Sequence, residues 1–263
     1  MTVVLAVNDD GVDSIGLRVL VEELSSSGFK VHVVTPAYQM SGTSKTVSFY
    51  RFGRDGRVWF REVDINGVVR GWALNATPAE SVLIALRLLL EEKPSIVVSG
   101  VNSGPNLGLE DIFTSGTVGA ALEAHLHGIP AIAVSLAHHG TAESEDYRVA
   151  AKVASKLAHS LAESYLEEPW LLNVNVPLKP RGVIVTRPAV NNYRTKFKVE
   201  GEVLVVQRDS MEERYWDREP GTDVWAVFNG YVSITPLNML RVSDVSERFK
   251  SKLEDVVRRL QEN

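Results

Sequence analysis

The chain has 263 residues, 44% of them hydrophobic, which is enough apolar material for a large core and excludes disorder as its main state. Its net charge of −5 gives no broad attraction for a nucleic-acid polymer or an anionic membrane, which points to a small-molecule partner. With no cysteine in the sequence, disulfides, thiolate nucleophiles and zinc–thiolate centres are excluded.

The opening "MTVVLAVNDD" lacks the basic flank and cleavage site of a signal peptide, and no later run reaches the roughly 18 apolar residues that span a bilayer, so a cytoplasmic protein is expected. Thr2 to Val7 reads as a strand buried on both faces. Ile15, Leu17, Leu20, Val21 and Leu24 then form a helical stripe that Gly28 can end. "KVHVVTP" is a second strand, stopped by Pro36. Three β-rich pieces, near Val47 to Phe52, Val58 to Val63 and Val68 to Leu74, read as an antiparallel insertion at about 46–74.

Thr77, Pro78 and Glu80 form a capping box with Pro at the first helical position, leading into "SVLIALRLLLEE". The strand "SIVVSG" is followed by a loop rich in Gly, Asn and Ser, the helical "TVGAALEAHLHG" and the strand "AIAVSL". An amphipathic segment from about Tyr147 to Leu166 and the strand "WLLNVNVP" extend the layer. This alternation predicts an α/β core over 1–177, a doubly wound, mostly parallel sheet with ligands at the carboxyl ends of its strands. Beyond Pro177, "GVIVTR", "EVLVVQR" and "YVSITPL" read as strands among polar stretches, ahead of a charged helix from about Val245 to Leu260. Residues 178–263 are therefore expected to form a β-rich arm, either pairing with another subunit or folding back.

The chemistry gathers at the predicted strand ends. Asp9 and Asp10 follow the first strand, and Gly11 lets the chain turn so that both carboxylates project into the crevice; the plain alternative is that Asp9, Asp10 or Asp13 caps the next helix. Two other strand ends carry Ser41, Ser44 and Lys45, and Asn102 and Ser103. An oxygen donor set of this kind suits a hard divalent cation such as magnesium, manganese or calcium. Ser115, Gly116 and Thr117 open a helix whose free N–H groups suit a phosphate, though such residues also serve simply as caps. Asn106 and Ser103 either orient phosphate or water or only shape the loop, and Lys45 is either a phosphate counter-charge or solvated. His138 and His139, with no carboxylate partner visible, read as surface or lid residues rather than proton shuttles.

Taken together, "NDDG", Ser41 to Ser44, "TPAESV", "VVSGVNSGPNLG", "SGTVGAALEA", "GIPAIAVSL" and "GTDVWAVFNGYVSITPL" resemble, in order and separation, the survival protein SurE family of metal-dependent nucleotide phosphatases. That resemblance implies metal ligation by Asp9, Asp10, Ser41 and Asn102, a Rossmann-like core, and dimers or tetramers built through the C-terminal arm. It also implies hydrolysis of nucleoside 5′-monophosphates and, in some members, of short polyphosphate. The chain departs from the family pattern at Ala76 and Glu80, where Gly and Asp are expected, and at Thr114, where Tyr is expected.

The expected enzyme is thus a Mg2+- or Mn2+-dependent 5′-nucleotidase. Metal-activated water would attack a phosphate held by Ser44, Asn106, Ser115, Gly116 and Thr117, with Asp9 or Asp10 as base. The competing expectation is a non-catalytic metal- or phosphate-binding sensor, which would need an Asp at the end of the third strand where this chain has "VVSGVN".

Overall fold

The computed structural model describes residues 2–49, 55–138, 140–162, 168–191, 195–207, 210–238, 250, 251 and 254. The predicted helix at 245–260, His139 and the stretch 50–54 lie largely or wholly outside the described residues.

Strand β1 (Val3–Val7) is buried throughout, and alternation splits its side chains between two cores: Val4 and Ala6 enter one hydrophobic cluster, Leu5 and Val7 the other. Such a strand needs cover on both faces. Helix α1 (Ile15–Ser26) supplies it on one side through Leu17, Leu20, Val21 and Leu24, while Ile15 stays 43% exposed in its first turn. Ser14 is the N-cap, its hydroxyl accepting from Leu17 N at 3.3 Å, so none of the nearby aspartates is used to cap this helix.

Strands β2 (Lys30–Pro36), β3 (Phe60–Val63) and β4 (Arg70–Leu74) correct the insertion as read from sequence. β4 pairs parallel to β2 within the main sheet, and only β3 runs antiparallel, against β4. The reason is burial: Trp72, Ala73 and Leu74 are almost fully enclosed, which an exposed hairpin could not achieve.

Helix α2 (Pro78–Ile84) starts with the expected box, Glu80 N bonding to Thr77 Oγ1 and Thr77 N to Glu80 Oε2. It continues as a π-helical turn, Ala85–Leu89, whose wider spacing brings Leu86, Leu89 and Leu90 to the core while Leu88 remains exposed.

Next come β5 (Ile96–Ser103), the short helix α3 (Gly108–Thr114), α4 (Gly116–Leu126), β6 (Ala131–Ala137), α5 (Ser144–Ala162) and β7 (Leu171–Pro177). After Pro177 stand β8 (Gly182–Val185), β9 (Lys196–Glu200), β10 (Val203–Gln207), α6 (Met211–Arg214), α7 (Asp223–Phe228) and β11 (Tyr231–Leu237). The main sheet has the order β3-β4-β2-β1-β5-β6-β7-β11-β8, parallel from β4 through β7. β11 joins antiparallel to β7 and β8 parallel to β11, so part of the sequence beyond Pro177 continues the main sheet. β9 and β10 form a separate antiparallel ribbon.

α1 and α5 pack on one face, where Ala150, Ala151, Ala154 and Ala158 allow close approach; α2 and α4 cover the other. The chain leaves β1 toward β2 on one side and β5 on the other, and the crevice at that reversal is where doubly wound sheets bind ligands. No helix among the described residues is long and apolar enough to cross a membrane.

Candidate active site

The turn after β1 is pinned from within. Asn8 donates to Gly11 O at 3.0 Å and to Ser14 Oγ at 2.6 Å, and accepts from Thr35 Oγ1 at 2.6 Å. Gly11 sits at φ +93°, where a side chain would also press on the Tyr38 backbone. Asp9 is thereby held in the crevice, only 3% exposed, and its carbonyl accepts from Met40 N at 2.7 Å, which ties the loop carrying Ser41 to the same place.

Helix α4 closes on Asp9 from the opposite side. Ser115 is its N-cap, accepting from Val118 N at 3.1 Å, and Thr117 Oγ1 donates to Asp9 Oδ1. Gly116 makes this approach possible: a Cβ there would lie 2.8 Å from Asp9 Cβ and 2.9 Å from Asp9 Oδ2. Asp10 faces β5, where its Oδ2 accepts from Ser103 N at 3.1 Å.

Burial pushes the Asp9 carboxyl up to about 6; the neighbouring Asp10 charge adds to the rise and the Thr117 hydroxyl opposes it. Asp10 is also raised by burial, against the Ser103 N–H. No cation among the described residues offsets either charge.

On β5 the register against β6 shifts between Ser99 and Asn102, an irregularity that re-aims the strand end. Asn102 Nδ2 donates to Gly104 O at 2.7 Å, which leaves Oδ1 as the atom it can offer a ligand. Asn106 is fixed by Ser135 Oγ at 2.9 Å and by Asn173 and Asn175, which donate to its carbonyl oxygen.

A cavity of about 380 Å³ joins these groups; its lining includes Asp9, Ser41, Asn102, Asn106 and Ser115. Gly116 and Thr117 stand behind Asp9, and Asp10 borders the cavity through Ser103. Ser44 and Lys45 are placed otherwise. Ser44 is not part of the lining and donates to Phe113 O at 2.6 Å, fastening the β2 loop to the end of α3, and Lys45 pairs with the buried Glu123 of α4.

The cavity also contains residues that sequence reasoning missed or set aside. Asp111, in the first turn of α3, receives Leu107 N at 3.2 Å, the Tyr215 hydroxyl, and Arg214 at 2.5 Å. This brings Arg214 and Tyr215, more than a hundred positions along the chain, to the cavity wall. Nothing local in "MEERYW" signals that. His138, read from sequence as a surface or lid residue, lines the same cavity.

No group of three or more His, Cys, Asp or Glu among the described residues is assembled to hold a metal. A cation here would therefore rest on two carboxylates supplemented by neutral oxygens. Two desolvated, uncompensated carboxylates beside Ser and Asn oxygens fit a hard divalent ion, and none of the four offers a soft donor.

The fold is that of a doubly wound α/β protein, and its crevice brings the buried Asp9 and the partly buried Asp10 to a helix N-terminus, groups able to take a small oxyanion beside a hard cation. A family model for survival protein SurE matches residues 4–195. The 5′-nucleotidase SurE of Archaeoglobus fulgidus is 41% identical over 250 residues, covering 90% of this chain and 91% of that one. The 5′-nucleotidase SurE of Pelotomaculum thermopropionicum is 35% identical, covering 95% of each. The crystal structure of the SurE protein from Aquifex aeolicus superposes with a TM-score of 0.78 at 33% identity, covering 98% of this chain and 99% of that one. The chain belongs to the survival protein SurE family.

Proposed function

We propose that the chain hydrolyses nucleoside 5′-monophosphates to nucleoside and phosphate, using magnesium or manganese held by Asp9, Asp10, Ser41 and Asn102. The reaction class, phosphoric monoester hydrolysis by a 5′-nucleotidase, follows from family membership and from relatives that carry that name over nearly their whole length. The observation that carries the site assignment is the apposition of Asp9 and α4: a buried carboxylate with no cationic partner stands against a helix N-terminus suited to phosphate.

A divalent ion bound there would offset charge on a phosphate oxygen and lower the pKa of a bound water. In the first turn of α4 the Val118 N–H is taken by Ser115 Oγ and the Thr117 N–H by Asp9, so the Gly116 N–H is the backbone donor that would receive a phosphoryl oxygen. Asp9, held against the first turn of α4 by Thr117, is assigned to accept a proton from the attacking water. Asp10, fixed by Ser103 N, would supply its charge to the ion. Water rather than an Asp is the proposed nucleophile, since adjacent side chains diverge and cannot work one phosphate as nucleophile and acid. Asn106 orients the substrate, and Ser44 serves the phosphate site by holding the loop on α3.

Short polyphosphate is a second substrate class on the same reading, and the cytoplasm is the proposed location, which suits a sequence without cysteine. The ribbon β9–β10 presents Phe197, Val199, Val203, Leu204 and Val206 to solvent, each more than half exposed, and we assign it to pairing with a second copy in a homodimer or homotetramer. A non-catalytic sensor is disfavoured by relatives named as nucleotidases.

The test is phosphate release from a panel of nucleoside monophosphates with and without magnesium or manganese, in the parent, Asp9→Asn and Asp10→Asn. Metal-dependent release that both substitutions abolish is expected. Absence of release from every nucleotide would overturn the activity, and release unaffected by either substitution would overturn the site.

A further inference from the structure

Hydrolysis of an alkyl phosphate needs a proton for its leaving oxygen as well as a base for the attacking water, because a nucleoside 5′-alkoxide is far too basic to depart as the anion. Asp9 occupies the α4 side of the cavity, held by Thr117, and has been assigned to the water. Among the other described lining residues, Asp111 is engaged by Arg214, Tyr215 and Leu107 N, the Tyr215 hydroxyl donates to that same carboxylate, and an Arg keeps its proton at neutral pH. His138 is the lining group left whose chemistry allows it to hold and release a proton in this range.

Its placement suits that task. His138 directly follows β6, one strand over from the β5 end that carries Asn102 and Ser103. His138 Nε2 lies 3.1 Å from Ser103 Oγ, while Ser103 N donates to Asp10 Oδ2 at 3.1 Å. The imidazole is thus indexed to the carboxylate pair through a single residue. Tyr147 of α5, 6% exposed, meets the ring edge-on with centroids 6.1 Å apart, which limits its rotation. Among the described residues, the charged or titratable groups on the elements around it include Asp10 behind Ser103, Tyr147 with Glu145, Asp146 and Arg148 in the first turns of α5, and Asp111 and Arg214 elsewhere on the cavity wall.

We propose that His138 is the general acid of the reaction, delivering the Nε2 proton to the leaving 5′ oxygen. The inference rests on the phosphatase reading above. In the step, the water oxygen bonds to phosphorus and the P–O5′ bond breaks with its electron pair on O5′. That oxygen takes the proton from Nε2. The neutral imidazole then recovers a proton from solvent, and the proton accepted by Asp9 returns there, so the protein is unchanged after one turnover.

The experiment compares two substrates in His138→Ala and His138→Gln: a nucleoside 5′-monophosphate, and p-nitrophenyl phosphate, whose phenolate leaves readily without protonation. A kcat loss of about 100-fold on the nucleotide with less than about 3-fold on the aryl ester is expected in both variants. The acidic limb of the parent's nucleotide profile should persist and its alkaline limb should vanish. Equal loss on both substrates in natively folded variants, or no loss on the nucleotide, overturns the proposal. Failure of the parent to hydrolyse either ester would instead strike at the phosphatase reading itself.

Discussion

The hydroxyl of Thr117 donates to Asp9 Oδ1 across a separation of 108 residues, joining the end of the first strand to the first turn of α4. Both groups are buried, so this bond helps to hold the carboxylate in place and lowers its affinity for a proton against the larger rise that burial causes. Removing the donor in Thr117→Val, a near-isosteric change, should raise the Asp9 pKa above its value of about 6, because the bond favours the charged form. The cost in stability should be about 1.5–3 kcal/mol, the range for a hydrogen bond to a charged group. Carboxyl-carbon NMR titration of the metal-free protein reads the first effect and denaturant unfolding the second. An Asp9 pKa that stays put would mean the bond does not matter to the site.

Asp9 also predicts a pH dependence of stability in metal-free protein. Its folded pKa of about 6 exceeds the ordinary 3.8, so the folded state holds the proton more tightly than the unfolded chain. The stabilising proton is therefore in place at low pH and is lost as pH rises through about 4 to 6, leaving a penalty of roughly 3 kcal/mol at neutrality. With a chelator present, the Tm of Asp9→Asn relative to the parent should rise between pH 4 and pH 7 and then level off, and millimolar magnesium should narrow the difference by stabilising the parent. A Tm difference that is flat across this range would exclude a desolvated Asp9.

Gly116→Ala tests the approach of α4 to Asp9 sterically. The added methyl would sit 2.8 Å from Asp9 Cβ, and the conflict is with a side chain that is itself immobilised. A stability loss of about 1–3 kcal/mol is expected, with nucleotide hydrolysis falling by more than the loss of folded protein explains. Calorimetric titration with manganese should show weakened binding in the folded variant.

Asp111 and Arg214 are predicted to differ in cost although they form one ion pair. Asp111→Ala leaves a buried Tyr215 hydroxyl and Leu107 N–H without their acceptor and should destabilise by about 3–5 kcal/mol. Arg214→Ala keeps both of those contacts but removes a charge from beside the 2% exposed Asp111 side chain, so it should cost less, about 1.5–3 kcal/mol. Its effect should appear in KM for nucleotides, because it alters the cavity wall. Equal destabilisation by the two variants would refute this division.

The exposed apolar ribbon predicts a change in assembly. Leu204→Glu with Val206→Glu places charges at two sites now 64% and 59% exposed and should leave monomer stability nearly unchanged. Light scattering should show the parent as an oligomer and the double variant at a lower mass. A parent that is monomeric at all concentrations would remove the ribbon from any role in pairing.

Features set by neighbours along the chain were legible in advance. Val4 to Val7 had to be covered on both faces because no polar residue interrupts them, and Thr77 and Glu80 mark a helix start through atoms three residues apart. The strand ends carrying Asp9 and Asn102 and the helix start at Ser115 were likewise readable, since a sheet and its helices impose their own periods on the sequence. The ribbon and α7 were less so, because β9 and the stretch after Thr222 are short and lie among polar residues with little periodicity.

By itself the amino-acid sequence determined the doubly wound α/β plan and the oxygen-rich chemistry of the crevice, because strand and helix patterns and side-chain donor types are local properties. Tertiary structure alone decided that β4 lies inside the main sheet, that Ser44 and Lys45 turn away from the cavity, and that Arg214, Tyr215 and His138 enter it. It also decided that Asp9 is starved of water while Asp111 is satisfied by partners a hundred residues away. Desolvation and charge pairing depend on which distant groups converge, and no spacing along a chain encodes that directly.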